Sequence, residues 1–101
     1  MSLQEITTPE EYIAVIRQAG WNVILCSAEW CKVCQEVKPK LIALAGLYKN
    51  VKFYVVDEAV EHADVDDVKK LPTVLAYRNG KPAIMHVGGD MTPIESLIKA
   101  M

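Results

Sequence analysis

Only one stretch of this sequence carries chemistry by residue type and spacing alone: Cys31-Lys32-Val33-Cys34. Two thiols one helical turn apart come close enough to be joined and parted as a disulfide. The apolar run Val23-Ile24-Leu25-Cys26 precedes the motif and a helical pattern follows it, so Cys31 falls at a helix N-terminus. Unpaired backbone N–H groups and the helix dipole favour an anion there, and a thiolate is such an anion. Cys31 is then the attacking thiol. Cys34, one turn further in and shielded from outside reagents, is the resolving thiol. Lys32 adds a positive charge that favours the thiolate by a further, modest amount, because an exposed ammonium is screened.

Other uses of the same residues fare worse. Cys26-x4-Cys31-x2-Cys34 matches the first three ligands of a plant-type iron–sulfur site, but that site takes four cysteines and the chain has 3. A zinc site drawing on His62 or His86 would need a strand leading into a helix to gather three thiolates around one ion, which that geometry does not do. No metal or organic cofactor is therefore expected. His62 reads as a residue of a solvated helix, His86 as one on the exposed face of a strand, and Cys26 as a small buried core residue.

The elements that must position the dithiol are legible around it. Thr8-Pro9-Glu10-Glu11 and Thr92-Pro93-Ile94-Glu95 each place a Thr cap before a first-turn Pro with Glu three residues after the cap, and both predict helix starts. The first helix is expected to bury Tyr12, Ile13, Ile16 and Ala19 and to stop at Gly20; the last, to bury Ile94, Leu97, Ile98 and Met101. Val23 to Cys26 and Phe53 to Val56 are short, β-branched and continuously apolar, as in central strands covered on both faces. Thr73 to Tyr77, a turn at Asn79-Gly80, and Ala83 to Val87 predict a hairpin. From Cys31 to Tyr48, Val33, Val37, Leu41, Leu44 and Leu47 recur at helical spacing, with a kink expected at Pro39. Asp57 to Val68 reads as a short acidic helical segment, and Leu3 to Ile6 as a first strand. The order is β-α-β-α-β-α-β-β-α, an α/β layout with helices on both faces of a mixed sheet.

Composition sets the outer limits. At 101 residues the chain is expected to form a single domain over 1–101, and 51% hydrophobic with 24% charged residues suffices for an unaided core. A net charge of −2 without a basic run argues against nucleic acid and anionic lipid as partners. The N-terminal residues lack the charged start and apolar stretch of a secretory signal, so a cytoplasmic, monomeric protein with no membrane association is expected.

Taken together, Ala28-Glu29-Trp30-Cys31-Lys32-Val33-Cys34, Pro39, Leu71-Pro72-Thr73, Asn79-Gly80-Lys81 and Val87-Gly88-Gly89 resemble the thioredoxin family over nearly the whole chain. The resemblance implies the thioredoxin fold, with the dithiol at the start of the second helix, a cis-proline at Pro72 facing it, and backbone at Gly88 and Gly89 close to bound substrate. It also implies thiol–disulfide oxidoreductase activity on disulfide-containing proteins, with electrons from a partner reductase. Trp30, Leu71, Pro72 and Thr73 would form the shallow groove for an extended substrate segment. The departures are specific. Lys32-Val33 stands where the family usually has Gly-Pro, so a reduction potential does not carry over. The family's buried Asp falls on Leu25 and its accompanying Lys on Phe53, so both charges are absent together. Ser27 replaces the usual aromatic. A rival reading follows from these losses: a binding, assembly or redox-regulatory module that keeps the shape and has weak redox activity.

Overall fold

The computed structural model describes residues 3–57 and 70–101. Along the chain run β1 (Gln4–Ile6), α1 (Pro9–Ile16), β2 (Trp21–Ser27), α2 (Lys32–Leu47), β3 (Lys52–Asp57), β4 (Thr73–Arg78), β5 (Lys81–Val87) and α3 (Thr92–Lys99). The acidic helical segment expected at Asp57 to Val68, with His62 in it, lies outside the described residues except for Asp57, which ends β3.

The strands form one mixed sheet in the order β1-β3-β2-β4-β5. β1, β3 and β2 are parallel, as expected of strands joined through the helical crossovers α1 and α2, while β4 and β5 close the other side as an antiparallel hairpin. Side chains alternate across the sheet and feed two cores. Val23, Leu25, Phe53, Val55, Val74 and Ala76 face α2 and α3, where they meet Val37, Leu41, Ile94 and Ile98. Ile24, Cys26, Tyr54, Val56 and Leu75 face α1 and meet Tyr12 and Val15. The continuous apolar runs of β2 and β3 therefore reflect burial on both faces.

Several boundaries differ from the sequence expectation for local reasons. Thr8 caps α1, its Oγ1 accepting the Glu11 N–H at 3.1 Å, and Thr7 donates its hydroxyl to the Glu11 carboxylate at 2.6 Å. The helix ends at Ile16, short of Gly20, so Val15 takes the buried place one turn after Tyr12 and Ala19 is exposed. At α3 the cap is not Thr92, which is already helical. The N-cap is Met91, which makes no side-chain cap bond, and the Asp90 carboxylate just before it accepts the Thr92 N–H at 3.0 Å. α2 continues through Pro39 as one helix, burying Cys34, Val37, Leu41 and Leu44, whereas Val33 and Leu47, at its two ends, are exposed.

The hairpin turn is fastened to the loop that leads into β2, next to the Trp21–Arg78 pair. Asn79 and Gly80 both have positive φ, 51° and 81°, as a two-residue hairpin turn matched to strand twist requires. Asn79 Oδ1 accepts the Gly20 N–H at 2.7 Å and Asn79 N–H donates to the Gly20 carbonyl at 3.0 Å, linking the turn to the α1–β2 loop. Asn79→Ala loses the side-chain acceptor and the residue type that tolerates this backbone. Urea unfolding should show a loss of about 1–2 kcal/mol. A change within about 0.5 kcal/mol, the usual range for surface substitutions, would show that the link carries no stability.

Candidate active site

β2 ends at Ser27, and the next four residues bring the chain into α2. Cys31 donates its N–H to the Ala28 carbonyl at 3.2 Å, and the Gln35 side chain, from the first turn of α2, donates to the same carbonyl at 3.0 Å. Cys31 is the N-cap of α2, with extended backbone (φ −85°, ψ 104°), and its Sγ accepts the Cys34 N–H at 3.2 Å. The helix terminus thus presents a donor to this sulfur, the arrangement that stabilises a thiolate. Cys31 and Cys34 are joined as a disulfide with Cα atoms 5.2 Å apart. Both are buried in this state, but unequally: Cys31 retains 6% of its surface and Cys34 none.

The surroundings sort the other expected residues. Leu71 packs against Ala28, Cys31 and Cys34. The Leu71–Pro72 peptide bond is cis, and the Pro72 carbonyl accepts the Gly88 N–H at 2.9 Å, which ties the segment before β4 to the segment after β5. Trp30 is 70% exposed beside the dithiol, and Lys32 is exposed. Thr73 corrects the sequence expectation of a groove-lining side chain: it is fully buried and its hydroxyl is bonded to the Lys70 carbonyl, so it closes the turn rather than facing outward. Val33 meets Gly89 so closely that a Cβ at position 89 would lie 2.7 Å from Val33 Cγ1. Only glycine there permits the approach.

Cys26 stands apart from the pair. It belongs to the α1-facing core, and burial pushes its thiol from 9.0 up to about 12. Among the described residues, no group of three His, Cys, Asp or Glu side chains is arranged to hold a metal ion. His86 is half-buried on the same sheet face as Val74 rather than on an exposed face, and its Nε2 lies 2.6 Å from the Asp90 carbonyl.

Strand register revises the account of the absent charges. The β3 residue opposite Leu25 is Val55, whereas Phe53 lies opposite Val23. Val55, not Phe53, is the position from which a side chain would pair with a charge at residue 25. Both Leu25 and Val55 are buried in the apolar core. A cavity of about 540 Å³, for which no residue pattern is a signal, opens beside this place, lined by Ser27, Ala28, Glu29, Lys38, Val55 and Asp57 among others. Ala28 also packs against the dithiol, so the cavity brings carboxylates and solvent to the other side of that residue.

The comparisons with known proteins agree with this geometry. The Thioredoxin family model matches residues 4–101. Thioredoxin-1 of Saccharomyces cerevisiae is 30% identical over 98 residues, covering 95% of each chain. Thioredoxin-like protein 1 of Schizosaccharomyces pombe is 33% identical over 94 residues, 89% of this chain, which spans only 32% of that longer protein. Among solved structures, mitochondrial thioredoxin 3 of Saccharomyces cerevisiae in its oxidised form superposes with a TM-score of 0.86 at 27% identity, over 98% of this chain and 95% of that one. These relatives support thiol–disulfide oxidoreductase chemistry at the level of the family. With the five-stranded mixed sheet and the joined Cys31–Cys34 pair at the head of α2, they establish that the chain belongs to the thioredoxin family.

Proposed function

We propose that the Cys31–Cys34 pair reduces disulfide bonds in protein substrates. The observation that carries this reading is the asymmetry of the pair: Cys31 Sγ accepts a helix N-terminal N–H and keeps some exposure, while Cys34 has none. In the reduced protein the Cys31 thiolate attacks one sulfur of the substrate disulfide. A Cys31–substrate bond forms, the substrate S–S bond breaks, and the departing sulfur takes up a proton. Cys34 then gives up its proton and attacks Cys31 Sγ, forming the bond present in this structure and releasing the second substrate thiol. Two electrons pass from the dithiol to the substrate, and a partner reductase restores them. Trp30, Leu71 and the Pro72 segment form the groove that receives the substrate chain, in a protein we place in the cytoplasm.

Removing only the resolving step tests the assignment. Cys34→Ser should accumulate a mixed disulfide between Cys31 and a disulfide substrate such as insulin, visible as a mass adduct that dithiothreitol reverses. Absence of any adduct, while the native protein reduces insulin, would assign the attack to another residue. One observation favours a second reading, a binding or regulatory module with weak redox activity: the buried positions 25 and 55 hold Leu and Val, so neither supplies a charge. That reading requires Cys31→Ser to preserve cellular function, which the reductase reading forbids.

A further inference from the structure

We propose that His86 is a positioning residue for the dithiol chemistry, holding the 88–90 loop against Val33 and the Pro72 segment and so fixing one wall of the substrate groove. The proposal rests on the reading of Cys31 and Cys34 as a reductase site.

The contacts form a continuous strap. His86, on β5, places Nε2 at 2.6 Å from the Asp90 carbonyl. A carbonyl can only accept, so Nε2 carries the proton and donates. The imidazolium keeps that same N–H, so the link does not depend on which of the two states is present. Asp90 in turn accepts the Thr92 N–H at the start of α3 at 3.0 Å, and the Thr92 backbone and hydroxyl hold its carboxyl below the usual range, with further contributions from the charges of His86 and Lys40. Between the two anchored ends lie Gly88 and Gly89. Gly88, at φ 107°, donates to the Pro72 carbonyl at 2.9 Å. Gly89 is the residue on which Val33 rests. One loop therefore touches both other walls of the site, the inter-cysteine segment through Val33 and the segment after Leu71 through Pro72.

Each of these contacts depends on where the loop sits. The positive φ of Gly88 is a conformation that glycine adopts freely, so the loop backbone does not set its own course. The His86 link shortens the free span to the residues between positions 86 and 90. Without it, the loop keeps its bond to the start of α3 but loses its tie to the strand, and the Gly88–Pro72 bond becomes easier to open. A groove wall that must be ordered on binding weakens substrate association and leaves the sulfur chemistry untouched.

The test compares the native protein with His86→Ala and His86→Gln, the second of which retains an N–H donor. Insulin serves as the protein disulfide, and 5,5′-dithiobis(2-nitrobenzoate) as a small disulfide that needs no groove. His86→Ala should raise the KM for insulin roughly fivefold, the change expected for one net hydrogen bond, with kcat and the rate with the small disulfide unchanged. His86→Gln should recover most of the KM. Amide hydrogen exchange of Gly88 gives a reading independent of activity: faster in His86→Ala, near native in His86→Gln. An unchanged Gly88 exchange rate in His86→Ala, or an unchanged insulin KM, would overturn the proposal. A native protein that reduces neither disulfide would instead remove the reductase reading, and the Gly88 exchange would still decide whether His86 positions the loop.

Discussion

Leu25→Asp is expected to destabilise the fold by several kcal/mol at about pH 8 and by much less at about pH 4. Leu25 is fully buried in the core that faces α2, among Val23, Val37, Leu41, Val55 and Val74, and none of these can hydrogen-bond a carboxylate. An ionised carboxylate without a partner is strongly disfavoured in such surroundings, so the introduced group takes up a proton and its folded-state pKa rises above the roughly 3.9 of the unfolded chain. The sign follows from proton binding. Between the unfolded and the raised folded pKa the native state binds more protons than the unfolded state, so stability falls as pH rises through that interval and levels off above it. Even the neutral acid loses apolar contact and brings a polar group inside, so part of the penalty remains at low pH. Urea unfolding of native and variant proteins across this range measures the difference. Equal stability at every pH would show that water or a counter-charge reaches residue 25, for instance from the cavity that Val55 helps to line.

The same substitution bears on proton transfer. Cys34 is buried and has to release a proton when it resolves the mixed disulfide, and among the described residues the buried core that faces α2 includes no acid or base. The carboxylates lining the neighbouring cavity, Glu5, Glu29 and Asp57, lie outside that core. If transfer to a base limits turnover, a folded Leu25→Asp protein should reduce insulin faster once the new carboxyl ionises. General-base assistance is commonly worth about 10²-fold or more. No gain across that range would show that groups already present serve the step or that it does not limit the rate.

What could be read in the sequence, and what could not, divides along a physical line. The dithiol, the strand before it and the helix after it are local facts: a β-branched apolar run, a short connection and a helical period suffice to place Cys31 at a helix start. The hairpin was legible for the same reason, since Asn79-Gly80 specifies its own turn. Competition between neighbours was harder to judge. Met91 takes the N-cap of α3 from Thr92, with Asp90 bonded to the Thr92 N–H, because the helix starts one residue earlier than the Thr-x-x-Glu pattern suggests. Periodicity marks Val33 as part of the apolar stripe of α2, yet in the first turn that stripe runs past the edge of the core and faces Gly89. Least legible were relations between distant segments. One such relation is that Leu25 lies opposite Val55 and not Phe53, a register that no strand settles alone because its partners fix the alignment. The His86–Asp90 link depends on a loop folding back on its own strand, and neither that link nor the half-buried face of His86 follows from the strand alone.

The three cysteines should separate by orders of magnitude when the fully reduced protein meets iodoacetamide at about pH 7. Alkylation requires the thiolate and access to it. Cys31 has both, as the N-cap whose sulfur faces the Cys34 N–H and as the more exposed of the pair. Cys34 has no exposed surface, so it should react only when the first turn of α2 opens. Cys26 is disfavoured twice. Burial in the α1-facing core denies access, and raising its thiol from 9.0 to about 12 cuts the thiolate population about a thousandfold before access is counted. Mass mapping after a brief pulse should therefore find Cys31 carboxymethylated while Cys26 remains unmodified, and the same pulse in concentrated urea should label all three alike. The urea arm makes the contrast a property of the fold rather than of peptide recovery. First labelling at Cys34 would reverse the roles of attacking and resolving thiol. Labelling of Cys26 at a rate near that of Cys31 would contradict its burial and make a third thiol available for exchange. The ordering also separates the two functional readings, because a module that keeps only the shape has no use for a thiolate held at a helix terminus with a second thiol beside it.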